Sequence, residues 1–453
     1  MKTHLMKAAS FIGEHNYETI DKAVLDLAKR AILDYIGCAV AGQKETVVTK
    51  LAMIHCAKIR QGESTAFGSG KYSREDAAMI NAVAGHALDF DDTSWTTIGH
   101  PTTVAAPVAL AEAERLELSG RDVLAAYCIG VETAHTFARM TMPEISEQGW
   151  HTTSVYGVLT AAAVSAWIRK LSPEATMHTL GIALSRAGGI RSNFGSMAKP
   201  LHAGLAAKAG MECTDMAEAG ITASPQAFEG ADGFVACFSG LERAHDARFG
   251  DPWDLAANGL AFKLYPCCSG AHPTLDILAD FIRQERLHAE DIESIHAGVS
   301  LLGPRELVNH APKTPLEARF SLEYAISAML LRGQLTLDEF TPGAVGAPDV
   351  QAFMQRVSMA VDEDLAKLGF IGTAPVKLQI TLKDGQMIKV SNDLARGNPE
   401  KPLTDHDFSD KFLRNATRFL SQKKAQQLLE SLFTLEKQHS VGELMTRVCH
   451  TKL

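Results

Sequence analysis

The sequence predicts a mainly α fold: a large all-helical domain with a smaller α+β domain set into the C-terminal half. Three observations carry this. From residue 19 to about 219, apolar side chains recur at helical spacing, segment after segment, most opened by a capping residue or a proline. Period-2 alternation, the mark of a strand, is confined to residues 292–301 and 376–390. Helical periodicity returns at 404–438. A chain of 453 residues can hold two or three domains and bury a large core without staples. The texture changes place a helical domain at 1–266, an α+β lid at 267–401 and C-terminal helices at 402–453 that return to the helical domain.

The first helix is expected at 19–40, with Ile20, Val24, Leu27, Ala31, Tyr35 and Ile36 on one face and Gly42 as its stop. At 73–88, Ser73 with Asp76 three residues later predicts a capping box, and the helix runs through Ala77, Ile80, Val83, Ala84 and Leu88. Helices at 102–116 and 121–139 follow His100-Pro101 and Ser119-Gly120. Residues 152–170 form an Ala-rich helix. In the next, 172–187, Ser172 caps and Pro173 sits in the first turn, where its missing N–H is harmless. Another helix follows Lys199-Pro200 to about Ala219, so the first 265 residues read as nearly all helix. The smaller domain is read from a strand at 292–301, a helix at 316–333 and a hairpin, VKLQITL-KDG-QMIKV, with Asp384-Gly385 at the turn.

Composition removes several functions. Net charge is -9, from 44 basic and 53 acidic residues, and no basic stripe offers itself to nucleic acid. No apolar run reaches the ~18 residues that span a bilayer, and the opening MKTHLMKAASFIGEHN does not read as a signal peptide. Eight cysteines, at 38, 56, 128, 213, 237, 267, 268 and 449, form no C-x-x-C pair. They read as reduced thiols of a cytoplasmic protein, with the adjacent Cys267-Cys268 taken as structural. G-x-S-x-G, H-E-x-x-H, Walker A and strand-linked G-x-G-x-x-G are all absent. Ser196-Met197-Ala198-Lys199 matches S-x-x-K, but Pro200 disfavours the helical turn at Lys199 that such a pair needs. Asp89-Phe90-Asp91-Asp92 matches a short terpene-cyclase acid motif, yet only 7% of residues are aromatic. A cofactor-free acid–base enzyme remains.

The most useful signal is a basic residue just before a helix start. It occurs in Gly99-His100-Pro101-Thr102, Gly149-Trp150-His151-Thr152, Lys199-Pro200-Leu201 and Ala271-His272-Pro273-Thr274. Helix N-termini carry unpaired N–H groups and partial positive charge, which favour anions. Four such ends, if they converge, make a pocket for a small polycarboxylate; otherwise each His merely caps its own helix. The Asp89–Thr93 cluster could orient a histidine, hold a hydroxyl or bind a divalent metal. Arg186 or Arg191 could grip a carboxylate bidentately, with Gly188-Gly189 bending the chain between them. Tyr324, on an apolar helix, is either a buried hydroxyl with a local partner or a proton donor.

Several stretches together resemble the MmgE/PrpD family: GHALDFDDT, HPTTVAAPVALAEAE, GWHTTSVYG, IRSNFGSMAKPLHAGLAA, KLYPCCSGAHPTLDI, ARFSLEYAISAMLLRG and ARGNPEKPLT, in family order. That family includes 2-methylcitrate dehydratase, cis-aconitate decarboxylase and iminodisuccinate epimerase. The resemblance implies a helical domain with an α+β lid, a homodimer and no cofactor. It implies a pocket lined by Asp89, Thr93, His100, His151, Lys199, His272 and Tyr324, with Arg191 and His202 as further substrate-binding candidates. The SWTTIG stretch between Thr93 and His100 is slightly longer than in decarboxylase-like members, so the substrate stays open.

The family reactions share a carbanion, or its aci-carboxylate form, next to a carboxylate. The expected roles follow: His100 and His272 handle protons, Lys199 and His151 bind carboxylate or pass a proton, and Asp89 orients a histidine. Thr93 and Tyr324 would hydrogen-bond substrate. The reading is a lyase, dehydratase or decarboxylase, acting on 2-methylcitrate, citrate or cis-aconitate. An epimerase of a substituted succinate is the alternative, and a non-catalytic helical binding protein a third. Activity undiminished by EDTA would separate the first two from a metal-assisted acidic site.

Overall fold

A computed structural model describes residues 2–56, 62–285, 287–369 and 373–449. It divides into two compact units. The first comprises Met1–Ser192, Pro200–Leu260 and Thr404–Leu453; the second comprises Asn193–Lys199 and Ala261–Leu403. Among the described residues, no helix is long and apolar enough to cross a membrane. The fold is mainly α, as the sequence predicts, with small sheets.

The first unit is built around helix Thr152–Ile168, in which every residue except Trp167 is buried. A helix surrounded on all sides needs no polar face. Helices Gly120–Arg139 and Thr102–Arg115 pack against it. Arg74–His86 packs on Thr102–Arg115, and Lys22–Gly42 on Arg74–His86. Several starts follow the capping chemistry. The hydroxyls of Ser73, Ser119 and Ser172 accept from the backbone N–H groups of Asp76, Asp122 and Ala175. The box expected at Ser73 is only half formed, because the Asp76 carboxylate turns away to Lys208 (2.6 Å) and His55 (3.0 Å). Gly42 does not stop its helix by a left-handed turn. It is the last helical residue, and a Cβ there would lie 2.1 Å from the Ala84 carbonyl oxygen, so the glycine serves helix contact.

The first 265 residues are less helical than expected. Residues 219–265 are largely turns, with a single π-helical turn at Val235–Ser239 and a short helix at Asp254–Ala257. Their Gly, Pro, Asp and Asn content explains this. Two three-residue strands, β1 (Ser64–Ala66) and β2 (Gly70–Tyr72), also escape periodicity reading because they are too short to show a period. The C-terminal helix Asp405–Ala416 packs on Lys22–Gly42.

The second unit carries a four-stranded sheet in the order β4-β3-β5-β6, where β3 is Ile292–Val299, β4 Val357–Val361, β5 Val376–Leu382 and β6 Met387–Asn392. The expected hairpin β5–β6 forms, with Leu378 opposite Val390 and Ile380 opposite Ile388 and Gly385 at φ +87° in the turn. β3 pairs antiparallel with β5 and parallel with β4, an edge strand the sequence reading missed. Ile295, Ala297, Leu378 and Ile380 share a core with Leu275, Leu278, Ile326 and Val350 from the helices. The single helix expected at 316–333 is two pieces, Pro315–Ala318 and Leu322–Arg332, because Ser321 caps a new start by accepting from the Tyr324 N–H. Six cysteines, at 38, 128, 213, 237, 267 and 268, keep their thiols; the side chains of Cys56 and Cys449 lie outside the described residues.

Candidate active site

Helix Arg74–His86 ends two residues earlier than the sequence suggests. The Ala87 N–H closes on the Val83 carbonyl and the Asp89 N–H on the His86 carbonyl; Asp89 then takes φ +50°. A non-glycine residue in the left-handed region is strained and is held by its surroundings. The turn brings the Asp91 carboxylate back to His86, whose Nδ1 lies 2.9 and 3.1 Å from its two oxygens. The segment is pinned from below. Lys411, buried on the C-terminal helix, donates to the Phe90 carbonyl (2.8 Å), pairs with Asp34 (2.7 Å) and lies 4.1 Å from the centre of the Phe90 ring. The Cys38 thiol donates to the same carbonyl.

His100 joins this carboxylate from the other side. Its Nδ1 is 2.7 Å from the Asp92 carbonyl and 3.4 Å from the Asp91 carboxylate. A carbonyl only accepts, so His100 Nδ1 carries the hydrogen. A Ser94–Gly99 bridge closes the SWTTIG loop at its base. The His100 ring centre is 4.5 Å from that of His86, and His86 in turn lies 6.1 Å from His151 with near-parallel rings. A small cavity beside His100 is lined by Thr97, Thr152, Thr153 and Tyr156.

His151 precedes the central helix, yet its side chain makes no cap bond. Its Nδ1 lies 2.9 Å from Nδ1 of His202, so one ring must donate and the other accept. Its backbone N–H donates to the Gly189 carbonyl, and the Arg191 N–H donates to the Gly149 carbonyl. Gly189 has φ +100°, and a Cβ there would meet Ser154 at 2.9 Å, which fixes glycine at this bend. Arg191 Nη1 reaches Ser146 at 3.4 Å, whereas Arg186 pairs with Glu212. Thus four imidazoles, His86, His100, His151 and His202, form one run with the Asp91 carboxylate. Two of the four proposed helix starts meet in this unit.

Two neighbouring carboxyls have different environments. Burial pushes Asp92 well above the usual carboxylate range, while the Thr102 hydroxyl hydrogen-bonds its Oδ2. With that proton committed, the Tyr127 hydroxyl donates to Thr102 (2.6 Å). Asp92 is thus held by Thr102, while the Asp91 carboxylate contacts His86 and His100.

Beneath the 94–99 loop, Thr96 donates to Asp254, which pairs with His135 at 2.7 Å. Glu132 accepts from the Asp254 N–H at 2.6 Å and pairs with Arg139. Burial raises the Glu132 carboxyl from 4.5 to about 7, and the His135 partner helps lower Asp254 to about 2 against its own burial. A raised acid pKa means the folded state binds more protons than the unfolded chain between those two values. Stability from this group is therefore lost as pH rises from about 4.5 to about 7. Glu132→Gln is expected to remove a slope worth about 3 kcal/mol over that window. Denaturant unfolding at several pH values checks it; parallel wild-type and variant curves would refute it.

In the second unit, Lys199 and His272 do not precede helices but stand inside the first turn, of Ala198–Glu218 and His272–Arg283. Pro200 does not prevent a helical Lys199. Proline near a helix start loses little, because N–H groups there are orphans anyway. The Ser196 hydroxyl donates to the Asn193 carbonyl (2.7 Å) and accepts from the Ala198 N–H. Buried Lys199 points its Nζ at the rings of Phe320 (4.7 Å) and Phe194 (5.1 Å). His272 Nε2 donates to the Cys267 carbonyl (3.2 Å), and Tyr265 packs edge-on at 5.2 Å. The Tyr324 hydroxyl donates to the Glu339 carbonyl, so it is a buried hydroxyl with a local partner.

Among the described residues, His86, Asp89 and His100 each bring one potential donor atom within 4.8 Å of the others. A divalent ion could bridge that spacing through the two Nε2 atoms, since Nδ1 of His86 is held by Asp91 and Nδ1 of His100 by the Asp92 carbonyl. The sequence reading missed His86 and Lys411, and it named Asp91 only as part of the Asp89–Thr93 cluster. His86 stands inside the quoted GHALDFDDT, five residues before Asp91, but a helix extended to Leu88 hides the turn that joins them.

Comparison with known proteins gives concordant matches. The MmgE/PrpD N-terminal domain matches residues 7–246 and the MmgE/PrpD C-terminal domain residues 265–436. The chain is similar to a cis-aconitate decarboxylase of Mus musculus, 30% identical over 430 residues, covering 91% of this chain and 86% of the relative. Against the cis-aconitate decarboxylase of Homo sapiens it is 30% identical over 443 residues, covering 93% and 90%. A cis-aconitate decarboxylase-like protein of Aspergillus oryzae is 24% identical over 466 residues, covering 97% and 96%.

Proposed function

The chain belongs to the MmgE/PrpD family, and from that premise we propose that it is a lyase that decarboxylates an unsaturated tricarboxylate of the cis-aconitate type. The observation that supports this most is the run of four imidazoles around Asp91. A reaction that delivers a proton to carbon beside several carboxylates needs groups that change charge near neutrality, and imidazoles do so.

In the proposed step the C–C bond to the carboxylate of the CH₂ group breaks and CO₂ leaves. Its electron pair becomes a new C=C bond. The pair of the old double bond takes a proton at the far carbon, so one proton is consumed per CO₂ released. His100 Nε2 and His272 Nδ1 handle that proton and its replacement. Lys199 and His151 hold carboxylates, Asp89 orients a histidine, and Thr93, Arg191 and His202 bind substrate. Charge stabilisation by Lys199 adds to the acid–base contribution.

Proton NMR in D₂O tests this. With cis-aconitate, the protein is expected to release CO₂ and give a product with one deuterium on the CH₂ beside a carboxylate. Citrate, 2-methylcitrate and iminodisuccinate are run in parallel. Loss of water from either hydroxy acid, or a changed diastereomer ratio of iminodisuccinate, with cis-aconitate left intact, would replace the decarboxylase reading by dehydration or epimerisation.

A further inference from the structure

We propose that His86 is a further substrate-binding residue, whose Nε2 hydrogen-bonds a carboxylate oxygen of the bound polycarboxylate while Asp91 positions the ring. This rests on the lyase reading above and assigns one more residue to that site. His86 is 1% exposed. Its Nδ1 is engaged by both oxygens of Asp91, at 2.9 and 3.1 Å. Its Nε2 is buried and has no hydrogen-bond partner among the described residues. Buried polar atoms are nearly always paired, so an orphan nitrogen calls for an explanation.

Its position supplies one. The ring lies between His100, at 4.5 Å, and His151, at 6.1 Å, and belongs to the same group of donors as Asp89. Here the carboxylate fixes one nitrogen and so aims the other, the arrangement by which enzymes orient an imidazole toward a ligand. The two-oxygen grip of Asp91 also restricts rotation of the ring, so little freedom is lost when a ligand binds.

Two substitutions separate ligand binding from a structural role. In His86→Asn the amide nitrogen takes the place of Nδ1 and keeps the Asp91 bond, but nothing replaces Nε2. In His86→Gln the amide reaches the Nε2 position and the Asp91 bond is lost. The probe is propane-1,2,3-tricarboxylate, a saturated tricarboxylate without the double bond that decarboxylation needs, with affinity read by calorimetry. Wild-type unfolding midpoint with at least tenfold weaker probe binding and a raised KM is expected for H86N. H86Q is expected to recover part of the affinity at a lower midpoint. Wild-type affinity in H86N would overturn the proposal, and so would no binding of the probe to the wild type. If neither variant folds, ¹⁵N-histidine NMR of the wild type decides: the His86 Nε2 resonance must shift on adding the probe, and a fixed resonance overturns it. Failure of the lyase reading is seen separately, as a wild type that releases no CO₂ from cis-aconitate.

Discussion

His100→Ala is expected to lower kcat/KM for decarboxylation by about 10²–10⁴-fold, the usual contribution of a general acid or base. The loss should fall mainly on kcat. In the proposed mechanism its Nε2 handles the proton, while Nδ1 is bound to the Asp92 carbonyl. Its side chain is 11% exposed, so truncation opens only a small void next to the existing cavity, and the unfolding midpoint should move little. His272→Ala is expected to act alike, although the buried Cys267 carbonyl then loses its donor and some stability goes with it. Steady-state kinetics with circular dichroism on each variant makes the check. An H100A enzyme within fivefold of wild type would remove His100 from the mechanism.

Much of the frame is legible in the sequence, because its signals are local. Ser119 and Ser172 announce their helices since a hydroxyl three residues before an orphan N–H can do little else there. Asp384-Gly385 announces a turn because Gly385 alone accepts φ +87° cheaply. Of the site, the histidines before helix starts are visible by the same logic. What is hidden depends on distant partners. His86 looks like one more residue of a helix until Asp89 adopts its left-handed turn and returns Asp91 to it. Edge strand β4 has no period of its own to show and forms because β3 offers it a parallel partner. Lys411 lies in an ordinary amphipathic helix, and its burial follows only from Asp34, 377 positions away, and the Phe90 carbonyl.

That lysine carries the second large effect. Lys411→Met is expected to cost about 3–5 kcal/mol of stability, the range for breaking a buried ion pair from one side. Burial raises the Asp34 carboxyl above its ordinary range and Lys411 pulls it back. Without the lysine, Asp34 must either stay charged and unpaired or take up a proton. The Phe90 carbonyl loses its ammonium donor as well, and Phe90 stands between Asp89 and Asp91. The turn that holds the imidazole run should therefore loosen, and kcat should fall with stability. Asp34→Leu added to Lys411→Met separates the two effects. Replacing both ions by apolar side chains is often neutral or stabilising, so the double variant should regain most of the lost unfolding free energy. It supplies no ammonium donor to Phe90, and its kcat should stay low. Recovery of stability together with full turnover would mean that Lys411 answers only its own ion pair, and that the Asp89–Asp92 turn is held by other contacts.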